Sequence, residues 1–313
     1  MRDRNDRTLV GVVTKVIGGF FFVFHDGRIY RCVARGRLRR RNPERDFRAS
    51  QVVPGDRVRF APLSLEEGVI EQTLPRTREL SRPLSGDPRR VRVIAANVDQ
   101  VCIVFSVSAP EPSPQSIDRF LALSEASGLR PLLCFNKCDL GDPGALATTY
   151  ERAGHVVLRT SARTGEGLDP LRKALSDHLT VIAGPSGVGK SSLVNALAPH
   201  LRREVGQTGR DGRGRHTTTT GEVLPIGPDA LVVDTPGVQL LEFVHLRPDA
   251  VREAFTEIRE QAARCAFVDC RHRGEPRCAV REAVSEGLIE RSRYDSYLTL
   301  LAEAEDGERR RYR

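Results

Sequence analysis

"NKCD", residues 136–139, and "GPSGVGKSS", residues 184–192, decide the fold, and they stand in an unexpected order. The second fits G-x-x-x-x-G-K-[ST], follows the apolar run "TVIA" and opens the helical pattern "KSSLVNAL". Glycines at such a turn let backbone N–H groups face phosphate oxygens, and the helix N-terminus adds positive potential. Gly184, Pro185, Ser186, Gly187, Val188 and Gly189 are the expected cradle. Lys190 would neutralise the β and γ phosphates, Ser191 would offer a hydroxyl to Mg²⁺, and Ser192 continues the helix start. The first stretch ends the apolar run "PLLCF". A carboxylate there, Asp139, can accept from N1–H and the exocyclic amine of guanine; adenine lacks that donor pair. Asn136 would tie this loop to the phosphate loop, and the stem of Lys137 would cover the base. "TSA" at 160–162 follows the next apolar run, which makes Ser161 and Ala162 a second base-contacting loop.

Downstream, "LVVDTPG" at 231–237 is an apolar run closed by D-x-x-G. Asp234 is expected to hold Mg²⁺ through water, and the Gly237 N–H to reach the γ-phosphate. The parts thus run base, base, phosphate, switch, switch. A parallel sheet tolerates this order if the original termini lie close enough to be joined and the chain is cut elsewhere. The helical pattern "LDPLRKALSDHL" running straight into the phosphate-loop strand is the join, and the new cut falls after D-T-P-G. Residues 91–242 are therefore expected to be a circularly permuted α/β P-loop GTPase domain.

The flanks differ in kind. Residues 1–78 carry short strand-like runs separated by Gly-Gly, Asp-Gly and Pro-Gly, which suggests a small β-barrel of the oligonucleotide-binding type. Within it, "RGRLRRRNPERDFR" at 35–48 holds seven arginines in fourteen residues: either a solvated loop or an electrostatic footprint for a phosphate backbone. Residues 79–90, proline-bearing and charged, read as a linker. Residues 243–313 look helical and end in a tail, "GERRRYR", expected to be disordered. They contain Cys265-x₄-Cys270-x-His272-x₅-Cys278, three thiolates and one imidazole, a set suited to tetrahedral Zn²⁺. Four protein ligands leave no open position, so one structural ion is expected. Cys32, Cys102 and Cys134 sit in apolar runs and read as small buried hydrophobes.

The net charge of +8 favours polyanionic partners, though solvated arginine-rich faces give the same number. No apolar run approaches the roughly 18 residues of a membrane span; a cytoplasmic monomer without membrane attachment is expected.

With the flanks included, the sequence resembles the ribosome-small-subunit-dependent GTPase A family (the RsgA/YjeQ/YloQ type). "VVPGDRVRF", "FNKCDL", "TSARTGEGL", "GPSGVGKSSLVNAL", "GRGRHTTTT", "DTPGV" and "CAFVDCRHRGEPRCAV" carry the match. The resemblance implies an N-terminal oligonucleotide-binding barrel, a permuted GTPase and a C-terminal zinc domain. It also implies GTP hydrolysis stimulated by the small ribosomal subunit, rRNA contact, and a late role in that subunit's maturation. One position departs: the family usually has Gly before the last Cys, where this chain has Arg277.

Many GTPases place a Gln after D-x-x-G to orient the attacking water; here the residue is Val238. "GRDGRGRHTTTT" at 209–220 lies where a first switch belongs. Thr217 or Thr218 would bind Mg²⁺ and γ-phosphate, and His216 either orients water or contacts rRNA. A competing reading makes the chain an RNA-binding chaperone in which guanine nucleotide only toggles affinity.

Overall fold

In the computed structural model, residues 8–35, 52–84, 87–199, 222–234 and 246–311 are described. They fall in two compact units, treated separately below. One comprises the described residues within Met1–Gln100, Leu171–Ile182 and Val194–Phe243; the other comprises those within Val101–Pro170, Ala183–Leu193 and Val244–Arg313.

The first unit begins with a closed barrel. Strands β1 (Leu9–Ile17), β2 (Phe20–His25), β3 (Arg28–Ala34), β4 (Arg57–Pro62) and β5 (Glu67–Thr73) close in the order β1-β2-β3-β5-β4. The β3/β5 pair is parallel and the other pairs are antiparallel. The Gly18-Gly19 and Asp26-Gly27 turns adopt positive φ and set the two hairpins, as their sequences demand. Alternation sends Val13, Val23, Tyr30, Cys32, Val58, Phe60 and Ile70 inward, which is why a barrel this small has a core at all.

Beside the barrel, "VVPGDRVRF" makes a polar joint. The buried Asp56 carboxylate accepts the Val53 N–H at 2.8 Å and the Arg76 guanidinium at 2.7 and 2.9 Å. The Ala96 N–H donates to the Pro54 carbonyl at 3.0 Å. Residues 79–90, read above as a linker, lie largely in strand. β6 (Glu79–Leu84) pairs antiparallel with β7 (Asp87–Ala96), with register shifts at Leu80/Ser81 and Pro83/Leu84. β11 (Leu179–Ala183), β13 (Leu231–Asp234) and β12 (Glu222–Pro225) form the rest of the sheet in this unit, in that order. β11 and β13 are parallel, and β12 and β13 antiparallel.

In the second unit the sheet order is β10-β9-β8, from β10 (Val156–Arg159), β9 (Arg130–Asn136) and β8 (Gln100–Ser106). β8 is buried along its whole length, so it reads as a continuous apolar run and not as an alternating one. Helix α1 (Pro114–Ala126) is capped by Ser113, whose hydroxyl accepts the Ser116 N–H at 3.2 Å, with proline in the first turn. Helices α2 (Gly144–Arg152), α3 (Leu168–Leu175) and α4 (Lys190–Leu197) follow along the chain.

The C-terminal part of this unit is helical: α5 (Pro248–Ala254), α6 (Thr256–Ala262), α7 (Ala279–Ser285) and α8 (Arg291–Arg311). α8 runs to Arg311, so the tail expected to be disordered is helix as far as that residue. α1 packs against α5 and α8. The shared core includes Ala122, Val251, Phe255, Ile258, Tyr297, Leu300 and Leu301. A buried charge sits in the same contact: Arg293 bonds Asp118 of α1 and Glu257 of α6, and its guanidinium lies 4.5 Å from the centre of the Phe255 ring. Among the described residues, no helix is long and apolar enough to cross a membrane.

Candidate nucleotide and metal sites

The glycine loop turns back between β11 and α4, and two of its glycines have no substitute. Gly184 has φ 136°, and a Cβ there would meet the Val104 carbonyl at 2.1 Å. Gly189 has φ 94°, and a Cβ would stand 2.5 Å from Asn136 Nδ2. Backbone therefore passes directly against β8 at Gly184 and against the base loop at Gly189, where any side chain would collide.

Asn136 explains why the two motifs need each other. It is 1% exposed at the end of β9. Its Nδ2 donates to the Val188 carbonyl at 3.0 Å, and its Oδ1 accepts the Ala162 N–H at 3.1 Å and the Thr160 hydroxyl at 3.3 Å. One amide side chain thus pins three loops. Lys137, with φ 65°, sends its Nζ to the Ala109 carbonyl at 2.6 Å and the Gly187 carbonyl at 2.8 Å. Lys190 Nζ donates to the carbonyls of Gly184 (2.8 Å) and Pro185 (2.7 Å), and burial lowers its pKa. Both ammonium groups therefore rest on loop carbonyls, neutral acceptors that hold a cation less strongly than a charged one does.

Asp139 is the acceptor of the group. The Ser161 hydroxyl donates to its Oδ1 at 2.6 Å, and Arg163 pairs with its Oδ2 at 2.7 Å. The Ser161 hydrogen bond, joined by the Arg163 charge, holds the carboxyl below the usual carboxylate range. Asn136, Lys137, Asp139, Ser161, Ala162 and the loop Gly184–Lys190 are thereby brought together; Ser191 and Ser192 follow in the first turn of α4. Asp234 ends β13. His216, Thr217, Thr218, Gly237, Val238 and the arginine-rich stretch beyond Arg35 lie outside the described residues.

Sequence reading missed three members of this arrangement. Thr160 bridges the Asn136 amide and the Cys134 thiol. The Ala109 carbonyl, beside Pro110, holds Lys137. Arg163 faces Asp139 across 24 positions of chain (163 − 139). Only "TSAR" itself, a cation one residue past the base loop, offered a signal for the last.

The Cys/His cluster forms a second centre. The candidate ligand atoms of Cys265, Cys270, His272 and Cys278 all lie within 4.8 Å of one another, and the last three residues are buried. Cys265 and Cys278 sulfurs stand 3.9 Å apart, and His272 Nδ1 lies 3.4 Å from Cys278 Sγ and 3.6 Å from Cys265 Sγ. Arms of about 2.3 Å around tetrahedral Zn²⁺ place sulfurs roughly 3.8 Å apart, so the set fits. Burial pushes the Cys270 thiol up to about 12, so a stable thiolate there calls for a cation. The surrounding shell is dense. The Glu275 carboxylate accepts the N–H groups of Arg271, Arg273 and Gly274. Burial opposes its charge, yet those donors outweigh it and hold the carboxyl at about 2. Tyr294 of α8 donates its hydroxyl to the His272 carbonyl, and Glu305 of α8 pairs with Arg271 and Arg273. Arg277, the residue noted above in place of glycine, adopts φ 53°. Cys32, Cys102 and Cys134 are buried, as expected.

A glycine-rich loop between a parallel strand and a helix, pinned by Asn136 to a base-type loop written upstream of it, defines the class: a circularly permuted P-loop GTPase carrying an N-terminal barrel. The chain belongs to the RsgA GTPase family, whose model matches residues 73–244, while the model of the RsgA N-terminal domain matches residues 10–70. It is 38% identical over 309 residues to a protein of Caldanaerobacter subterraneus subsp. tengcongensis named small ribosomal subunit biogenesis GTPase RsgA, spanning 97% of this chain and 98% of that one. The crystal structure of YloQ, described as a circularly permuted GTPase, superposes with a TM-score of 0.74 at 29% identity over 96% of each chain. YjeQ from Thermotoga maritima gives 0.71 at 33% identity over 95% of this chain and 99% of that one.

Proposed function

We propose that this protein is a Mg²⁺-dependent GTP hydrolase acting in late maturation of the small ribosomal subunit, with activity stimulated by that subunit. The observation that carries the nucleotide part is the Asn136 Nδ2 bond to the Val188 carbonyl. It holds a carboxylate suited to guanine and a phosphate-type loop in one frame despite their swapped order. The ribosomal part rests on family membership and on the names its relatives bear.

In this reading Asp139 receives the N1–H and amine of guanine, and Lys137 leaves its carbonyl partners to lie along the base. Ser161 and Ala162 close the base edge. Backbone N–H groups of 184–190 and the Lys190 ammonium take the phosphates. Ser191, Asp234, Thr217 and Thr218 would hold Mg²⁺, which would supply neutralisation of phosphate charge. His216 orients water, since Val238 cannot. The cluster Cys265, Cys270, His272 and Cys278 holds one structural Zn²⁺. The domains divide as a barrel over 1–78 that contacts rRNA, a connection over 79–90 that lies largely in β6 and the start of β7, the GTPase over 91–242 and the zinc-binding helices over 243–313. The protein works as a cytoplasmic monomer.

GTP turnover with and without purified small subunits tests this. Subunits are expected to raise the rate. A rate indifferent to them would leave only the nucleotide-toggled RNA chaperone.

A further inference from the structure

Asp139 is already engaged. Its carboxylate is 9% exposed and is met on one oxygen by Ser161 and on the other by Arg163, whose side chain is 73% exposed. The two partners differ in kind. Ser161 is fixed: its hydroxyl accepts the Thr164 N–H at 3.1 Å, its carbonyl accepts the Gly165 N–H at 2.9 Å, and the adjoining Ala162 N–H is held by Asn136. Arg163 reaches the carboxylate from the solvent side of the same loop, on a long side chain free to swing. A guanidinium and the N1–H/amine edge of guanine are also alike chemically. Each is a planar fork of parallel N–H donors, and each is matched to a carboxylate. Arg163 Nη2 and a guanine N–H cannot both take the same position on Oδ2.

We propose that Arg163 is the resident competitor for the guanine-reading carboxylate: it occupies Asp139 in the nucleotide-free protein and is displaced when a guanine base binds. The inference rests on the assignment of Asp139 as base reader. Arg163 then sets two properties of the known site. Together with Ser161, it keeps the carboxylate aimed while no ligand is present. It also lowers guanine-nucleotide affinity by the strength of one exposed ion pair, an equilibrium factor of roughly two to five. That factor shrinks with salt, because the screening length falls to about 3 Å at 1 M.

The test is titration of the full chain with a fluorescent GDP analogue at low salt and near 1 M salt. Arg163→Ala is expected to bind about two- to fivefold more tightly than the wild type at low salt, with the gap closing at high salt. Arg163→Lys, which keeps the charge, should stay near the wild type. The exposed position predicts an unchanged melting point for both variants without nucleotide. Equal or weaker binding by Arg163→Ala at low salt overturns the proposal, weaker binding because it would make Arg163 a support for the base. Asp139→Asn, titrated with xanthosine and guanosine diphosphates, separates the two layers. A switch toward xanthosine keeps the base-reading assignment whatever Arg163 does. A retained preference for guanosine removes that assignment and the competitor with it.

Discussion

The nucleotide loops and the cysteine knuckle belong to the same unit and solve opposite problems. In the first, the charged groups are engaged within their own loops and β-strand ends: Lys137 on Ala109 and Gly187, Lys190 on Gly184 and Pro185, Asp139 on Arg163. Each contact is one that a nucleotide can replace. In the second, the ligand atoms already converge within 4.8 Å, and the shell around them is tied by backbone donors and by α8. Cations resting on neutral carbonyls suit a ligand that arrives and leaves. A site with buried thiols is built around something that stays.

Metal removal should break this contrast most strongly. Structural zinc contributes apparent binding energies of about 10–16 kcal/mol in small fingers, and that energy is folding energy. Stripping the protein with a chelator, or replacing Cys270 by Ser, should abolish stoichiometric zinc and melt α5–α8, read as lost helical circular dichroism and a lower first melting transition. Nucleotide removal, by contrast, should leave the secondary structure intact. A zinc-free protein with unaltered helix content and melting would show that the knuckle is not held by metal.

The next effect is on the buried charge. Arg293 is 2% exposed and is bonded to Asp118, fully buried, and Glu257. Burial opposes its charge, and the two carboxylates more than offset that, so its pKa is raised. Arg293→Met takes away the cation that two carboxylates share, which costs about 3–5 kcal/mol by the usual outcome of breaking a buried pair. Urea unfolding should show a correspondingly lower midpoint, and adding Asp118→Asn should recover part of the loss. No recovery would mean that the guanidinium acts through its packing on Phe255 and Tyr150 rather than through charge.

Both sites were legible in the sequence because each needs residue types that few other structures require together. Asn, Lys and Asp after one apolar run and G-x-x-x-x-G-K-S after another predicted the pinning that Asn136 performs. The cysteine spacing predicted the knuckle. The barrel was legible from its turns, whose Gly-Gly and Asp-Gly pairs sit at positive φ. Three features were not. The β6/β7 hairpin has no alternating apolar face along "RPLSGDPRR"; it is held by backbone pairing and buried at Leu80, Val93 and Ile94 near its open end. The last turns of α8 are polar, but Leu300, Leu301 and Ala304 anchor the helix upstream and an Asp306–Arg309 pair extends it. Arg163 was marked only by its place after "TSA", because sequence separation carries no distance.

The smallest effect sharpens the knuckle itself. At Arg277 the backbone is left-handed, φ 53°, in the step before Cys278. For a residue with a Cβ that conformation costs roughly 1–2 kcal/mol relative to the ordinary helical region. Glycine relieves it, though the more flexible unfolded chain takes back about 0.4–1 kcal/mol. The side chain is exposed, so its loss removes little packing, and the backbone bond from the Ala266 N–H to the Arg277 carbonyl is kept. Arg277→Gly should therefore gain about 0.5–1 kcal/mol, read as a slightly higher melting point and slower zinc release to a competing chelator. It should not change GDP affinity, because the nucleotide loops gain nothing from a relaxed knuckle. A destabilised Arg277→Gly protein would mean that the arginine earns its place through a contact stronger than its strain.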